Sequence, residues 1–378
     1  MLEDVRRNGR RMLSVTRRGK KNRHPTLAPR IFHAMNLVNV AVLGATGYSG
    51  EELLGILMRH PGVELVCVTS RTHAGKTIEE VLPRLQAHKF SDLKFVATDF
   101  IEILKTKPQV AFLALPHGAA AEFAKPLLEN GVRVIDLSAD FRLKDAAVYQ
   151  DFYAQKHPAP ELLAQSVYGL PEIYREQIRA ARLVASPGCY PTSIIVPLHP
   201  LLRRKLIDPR GICVTSLSGV SGAGRKAEIE LLFAECNESL RAYGVPKHRH
   251  LAEIEQELSA AAGEQATINF TPHLVPVSRG IVSTIYAQPA PGITARQISE
   301  ALMDAYKDEI FIRVEGERGV ADTKNVTHTN FLDLTWRHDP RTGRVILMTA
   351  EDNLIKGAAG QAVQSFNLMC GWPEGVAL

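Results

Sequence analysis

Cysteine is scarce in this 378-residue chain, and what there is lies scattered: Cys67, Cys189, Cys213, Cys236 and Cys370, with no C-x-x-C pair. An odd number at these spacings is neither a disulfide framework nor a zinc site, and it points to a reducing, cytoplasmic compartment. No apolar run reaches the roughly eighteen residues a membrane span needs, so no membrane partner is expected. There is no G-x-S-x-G elbow, which argues against a serine hydrolase. Internal repeats are absent too, and no low-complexity tract occurs outside the first residues.

Positive charge is unevenly placed. Residues 1–36 hold ten Lys/Arg against Glu3 and Asp4, a balance of +8, so the net +5 of the whole leaves −3 for the rest. The body has no basic stripe, and nucleic acid is not an expected partner. Residues 1–36 read as a disordered basic extension, because Met35 stands just before the first strand-like run. Hydrophobic content of 45% and charged content of 22% fit an ordinary globular chain. The length suggests about two domains.

From Leu37, LVNVAVLG reads as a buried strand, GATGYSG as a turn, and EELLGILMRH as a helix with its apolar residues at helical spacing. VELVCVTS, QVAFLALP and VRVIDLS are further strands, with AAAEFAKPLLENG a helix closed by Gly131. Strands alternating with helices predict a doubly wound α/β domain with a parallel sheet. After residue 187 the runs ICVTSLSGV, ATINFTPHLVPV and GIVSTIYAQ lengthen, and ARQISEALMDAY reads as a helix. A second α+β domain with a mixed sheet is expected there. The division is 37–187 for the first domain, completed by 351–378, and 188–350 for the second, with the C-terminal helix returning to the first. KAEIELLFAECNESL is expected to be helical.

Gly44-x-x-Gly47-x-x-Gly50, between a strand and a helix, is the setting in which backbone N–H groups meet a pyrophosphate. Gly44, Thr46, Gly47, Tyr48, Ser49 and Gly50 are therefore candidate cofactor contacts. The second strand ends on Ser70-Arg71-Thr72-His73-Ala74-Gly75-Lys76, without the carboxylate that would hold NAD ribose hydroxyls. Ser70, Arg71 and Lys76 favour NADP(H).

SPGCYPT places Cys189 between two prolines at the start of a helical turn. A helix N-terminus or a nearby imidazolium lowers a thiol's pKa and makes it a nucleophile. Pro197 and Pro200 are expected to kink or break that helix. In AYGVPKHRH, His248 and His250 fall two apart, facing one way if the segment is extended, and either can serve as the base. No third ligand accompanies them, so no metal site is expected. Tyr243 and Lys247 match a Tyr-x-x-x-Lys spacing, but Gly244 and Pro246 forbid the helix that pattern needs. SGVSGAGRK, with Ser218 and Arg225, can cradle a phosphate or an acidic substrate group.

The ordered set GATGYSG, LALPHGAAA, VIDLSADFRL, SPGCYPT, SGVSGAGRKA, AYGVPKHRH, PHLVPVSRGI and DNLIKGAAGQAV resembles the N-acetyl-gamma-glutamyl-phosphate reductase family, within the aspartate-semialdehyde dehydrogenase group, across 37–378. One departure is Ser186, where the family more often has Asn. The resemblance implies a thioester on Cys189, reduced by NADPH to N-acetylglutamate 5-semialdehyde in arginine biosynthesis. It implies a histidine as acid and base, His248 first and His250 second. It also implies Pro116, His117 and Gly118, Ser138 to Asp140, and Gly357 to Gly360 near the nicotinamide. Ser218, Arg225, Tyr243 and Arg279 are implied at the substrate, a small acyl phosphate, and a homodimer or homotetramer as the assembly. Two alternatives stand beside this reading. One is a reductase of N-acetyl-aminoadipyl or aspartyl phosphate; the other is a non-catalytic NADP(H)-sensing regulator.

Overall fold

The computed structural model describes residues 37–225 and 227–378. The extension expected over residues 1–36 lies outside the described residues, as does Lys226.

Strands β1 (Val38–Leu43), β2 (Val63–Thr69), β3 (Phe95–Val96), β4 (Val110–Leu113), β5 (Arg133–Asp136), β6 (Val167–Tyr168) and β7 (Leu183–Ala185) form one sheet. Its order is β3-β2-β1-β4-β5-β7-β6, and every neighbouring pair is parallel. Parallel strands are covered on both faces, which explains the continuous apolar runs: Val40, Ala41, Val42 and Leu43 are all fully buried. The order reverses between β1 and β4, opening a crevice at their carboxyl ends, where α/β sheets hold ligands. The last helix, Gly360–Met369, places Val363 and Phe366 in the same core as Val40, Leu54 and Phe112.

A second sheet follows, built from β8 (Arg210–Gly219), β9 (Arg241–Ala242), β10 (Thr267–Val275), β11 (Ile281–Ala287), β12 (Ile312–Gly316), β13 (Leu332–Asp339) and β14 (Arg344–Glu351). The order is β12-β13-β14-β11-β8-β10-β9, with parallel and antiparallel neighbours mixed. Burial alternates along β8 and β11. The inner face carries Ile212, Val214, Phe270 and Ile285 into one core with Ile194 and Leu198 of the helix Cys189–Arg203. The outer positions Thr215, Leu217, Thr284, Tyr286 and Met348 stay open or half-open. The expected pairing of a doubly wound domain with an α+β domain is what the chain adopts.

Two local expectations are corrected. The helix Cys189–Arg203 runs through both prolines without breaking. Each proline removes the N–H that would serve the carbonyl four residues back. Those carbonyls find other donors: the Thr349 hydroxyl donates to Ser193 O at 2.9 Å, and the Tyr306 hydroxyl donates to Val196 O. The KAEIELLFAECNESL helix does not form; Ile229–Leu231 and Phe233–Cys236 are single turns. Its apolar residues find no core among the described residues, Phe233 being 81% and Ile229 76% exposed.

Candidate active site

A cavity of ≈ 520 Å³ lies in the crevice between the two sheets, and the glycine loop forms one end of it. Gly44 has φ +82°, and a Cβ there would fall 2.4 Å from Ala114 O. A Cβ on Gly50 would fall 2.6 Å from Gly44 O. Only glycine fits at either position, so the loop draws its backbone tight against the helix Tyr48–Leu57. That helix is capped by Gly47 with no side-chain hydrogen bond, leaving first-turn N–H groups without protein acceptors. Such a helix start suits a pyrophosphate. Glu51, in the same turn, would repel it, but Arg84 and Arg225 each hold that carboxylate at 2.5 Å.

Of the residues expected at the cofactor, Gly44, Thr46, Gly47, Tyr48, Ser49, Gly50, Ser70, Arg71, Pro116 and Gly357 line this cavity. Thr72 and Thr98, the latter unforeseen, join them. Lys76 does not. Neither does Ser138, whose hydroxyl and N–H both donate to Asp136 at 2.8 Å. Asp140 is likewise a structural group, accepting from Gly118 N at 2.7 Å, Ala121 N at 2.9 Å and the Tyr149 hydroxyl at 2.8 Å.

Cys189 opens its helix on the cavity wall, behind the N-cap Gly188. Gly188 carries no side chain because two neighbours crowd the space a Cβ would take. A Cβ there would meet His250 Nε2 at 2.6 Å and Arg142 Nη1 at 2.9 Å. Its N–H donates to Glu253 Oε1 at 2.9 Å. Glu253 also accepts from the Tyr168 hydroxyl at 2.6 Å and pairs with Arg142 at 3.4 Å. Arg142 Nε in turn donates to Ser186 O at 2.8 Å. Arg142 and Glu253, which sequence reasoning did not single out, thus clamp the turn that carries the thiol.

The histidines change places. His250 does not sit on an extended segment; it opens the helix His250–Ala262, with Glu253 one turn on. Its ring lines the cavity beside Gly188, whereas His248 does not line it. His248 packs behind, ring centroids 5.0 Å from His250, its Nδ1 accepting from the His250 N–H at 3.1 Å. Of the two rings, the one that shares the cavity wall with Cys189 is that of His250, the second choice, and not that of His248, the first. Burial, then His248 and the Arg142 and Arg249 guanidiniums, hold His250 well below the ordinary imidazole value. Its Nδ1 is buried without a hydrogen-bond partner among the described residues. The ring is neutral at neutral pH and able to accept a proton.

The thiol itself departs from expectation. Helix N-termini lower a thiol's pKa, and the Tyr190 N–H and Arg142 do act that way on Cys189. Burial and the Glu351 carboxyl outweigh them and push the thiol up to about 12. In the ligand-free chain Cys189 is a thiol, and its ionisation waits for a base.

The residues expected at the substrate are spread out. Arg225 lines the cavity, its guanidinium 4.7 Å above the Tyr48 ring. Arg279 is held by Glu52 and, at 3.5 Å, by Asp352. The Tyr243 hydroxyl meets that of Tyr190 at 2.9 Å, and the Ser218 hydroxyl donates to Gly219 O at 3.1 Å. Among the described residues no cluster of three or more His, Cys, Asp and Glu side chains is arranged to hold a metal ion.

Residues 39–181 match the family model of the semialdehyde dehydrogenase NAD binding domain, and residues 189–353 that of the semialdehyde dehydrogenase dimerisation domain. The N-acetyl-gamma-glutamyl-phosphate reductase of Akkermansia muciniphila is 58% identical over 340 residues, 90% of this chain and 98% of its own. That of Geotalea daltonii is 49% identical over 343 residues, with the same coverage of 90% and 98%. Among solved structures, aspartate semialdehyde dehydrogenase II of Vibrio cholerae superposes with a TM-score of 0.67 at 21% identity, over 89% of this chain and 98% of its own. The Candida albicans aspartate semialdehyde dehydrogenase, solved with NADP, gives 0.65 at 16% identity, over 88% and 98%. At these identities the structural likeness speaks for the fold.

Proposed function

The chain belongs to the N-acetyl-gamma-glutamyl-phosphate reductase family, and on that premise we propose that Cys189 is the nucleophile of an NADPH-dependent reduction. The substrate is N-acetyl-gamma-glutamyl phosphate, the product N-acetylglutamate 5-semialdehyde, and the pathway arginine biosynthesis. The observation that carries this is the crowding at Gly188: the His250 imidazole and the Arg142 guanidinium close on the glycine that precedes Cys189, and all four residues line one cavity.

His250 takes the thiol proton, and the sulfur attacks the acyl carbon. The N–H groups at the start of the helix Cys189–Arg203 face the developing oxyanion. Phosphate leaves and a thioester on Cys189 remains, one hard displacement being split into two easier steps. NADPH, held by the loop Gly44–Gly50, would supply the hydride that this carbonyl needs. His250 then returns its proton to the thiohemiacetal oxygen, and collapse frees the aldehyde. The loop Gly44–Gly50 would hold the pyrophosphate. Ser70, Arg71 and Thr72, with no acid among them, suit a 2′-phosphate. Arg225, the last residue of the loop SGVSGAGR and a cation on the cavity wall, serves the substrate's acidic end.

The first domain's role is to hold cofactor and the second's to supply chemistry and assembly. The open outer face of the second sheet supports a homodimer. No helix among the described residues is long and apolar enough to cross a membrane, and a cytoplasmic location is part of the proposal.

The test is phosphate-dependent reduction of NADP+ by the semialdehyde, with Cys189→Ser beside the parent protein. The variant is expected to bind NADPH normally and to lose more than about 10³-fold in kcat. Substrate trapping is expected to add an acyl mass to the Cys189 peptide of the parent alone. Equal turnover in both proteins would remove Cys189 from the chemistry.

A further inference from the structure

Glu351 is the last residue of β14 and is fully buried. Neither of its carboxyl oxygens has a hydrogen-bond partner among the described residues. It stands beside the thiol: a Cβ placed on Gly357 would lie 3.1 Å from Glu351 Oε1 and 2.8 Å from Cys189 Cβ. One glycine thus separates an unpartnered carboxyl from the side chain read as the nucleophile.

The neighbouring charges are already committed. Lys356 Nζ donates to Glu172 at 2.6 Å and to Gln364 at 2.9 Å, with both charged side chains fully buried. Asp352 accepts from the N–H groups of His328 and Leu354 at 2.7 and 2.8 Å and faces Arg279. On the thiol's side, Arg142 and Glu253 hold each other, and His250 is neutral. Two carboxyls, Glu172 and Glu351, therefore compete for one ammonium, and Glu172 has it. A buried carboxylate with no partner is too costly to persist, so it binds a proton instead. Burial, with Asp352 and Glu172 adding to it against Lys356, pushes the Glu351 carboxyl well above its ordinary range.

We propose that Glu351 sets the protonation state of Cys189, the two side chains together carrying no more than one negative charge. The exchange is a proton transfer alone: carboxyl plus thiolate gives carboxylate plus thiol. Once Glu351 ionises, the thiolate must form beside a like charge, which keeps the ligand-free sulfur protonated and unreactive. Glu351 is thus a positioning residue that acts through Cys189. This rests on the reading of Cys189 as nucleophile.

The experiment follows iodoacetamide labelling of the Cys189 peptide against pH in the ligand-free protein, for the parent and for Glu351→Gln. The amide keeps shape and removes the titrating group. The two proteins are expected to label alike where Glu351 holds its proton and to part above its midpoint, where the variant's profile lies about one pH unit lower and its labelling is about tenfold faster. An unchanged or slower profile overturns the proposal. Infrared spectra supply a measurement that does not depend on the Gln variant folding. The parent is expected to show a protonated carboxyl band at pH 7 that titrates away on raising the pH, and the midpoint is expected to shift in Cys189→Ser. No such band, or a midpoint indifferent to Cys189, overturns it. Full turnover by Cys189→Ser would sink the nucleophile instead, and the infrared result would be unaffected.

Discussion

At the scale of single residues, the two histidines show how two positions divide a motif between them. Both rings are depressed by burial, His248 to about 4 and His250 well below the ordinary imidazole value, but only His250 reaches the cavity. His248 holds the His250 backbone N–H and contributes like charge when protonated. His250→Asn is therefore expected to cost about 10²–10⁴-fold in kcat, the usual worth of a general acid–base group. His248→Asn is expected to cost far less and to shift the pH profile. The sign follows from the depression. A base whose pKa is lowered stays neutral into acid, so the acid limb of kcat/KM should fall below the ordinary imidazole value of about 6.5. Rate profiles of both variants decide it; a larger loss in His248→Asn would restore the order that the motif alone suggested.

At the scale of elements, the helix that carries Cys189 depends on distant side chains. Ser193 O and Val196 O lose their helical donors to Pro197 and Pro200 and are served by Thr349 and Tyr306. Thr349→Val keeps the shape and deletes the donor, leaving a buried carbonyl unsatisfied. The expected cost is about 1–3 kcal/mol, read as a lower urea midpoint at unchanged slope. The same midpoint as the parent would mean that the prolines need no compensation. This contact also shows where sequence reading stops. GATGYSG and SPGCYPT are legible because their chemistry lies in contiguous residues: glycines for close approach, a thiol beside a turn. The survival of the helix is not legible, since its rescuing hydroxyl is 156 positions away. Glu253 and Arg142 escape notice for the same reason. Each looks like an ordinary charged residue in its own stretch, and its purpose appears only when Gly188 and Ser186 arrive from elsewhere in the chain. The KAEIELLFAECNESL misreading is the reverse case, an apolar spacing that implies a helix where the described residues provide nothing for it to cover.

At the scale of the whole molecule, the two sheets differ in how their faces are used. The first is covered on both sides, as an all-parallel sheet must be. The second is covered on one side by the helices Cys189–Arg203, His250–Ala262 and Ala295–Tyr306, and its outer face is left to Thr215, Leu217, Tyr286 and their neighbours. Leu217 and Tyr286 are 36% and 38% exposed, and the half-open Val282, Ile346 and Met348 continue the apolar surface across the central strands β8, β11 and β14. A surface of this kind, contiguous and rimmed by polar residues, marks an association site. If two copies pair through it, the two-fold axis sets each introduced charge near its own copy, where burying unpaired like charges is strongly unfavourable. Thr284→Arg combined with Met348→Arg places two such charges at the centre of the face, on paired positions that do not line the cavity. The expected outcome is a monomer by light scattering at micromolar concentration, with NADPH binding preserved because the first sheet and its crevice are untouched. A dimer that survives both arginines would move the interface elsewhere, with the exposed Ile229, Leu232 and Phe233 the next apolar surface to probe.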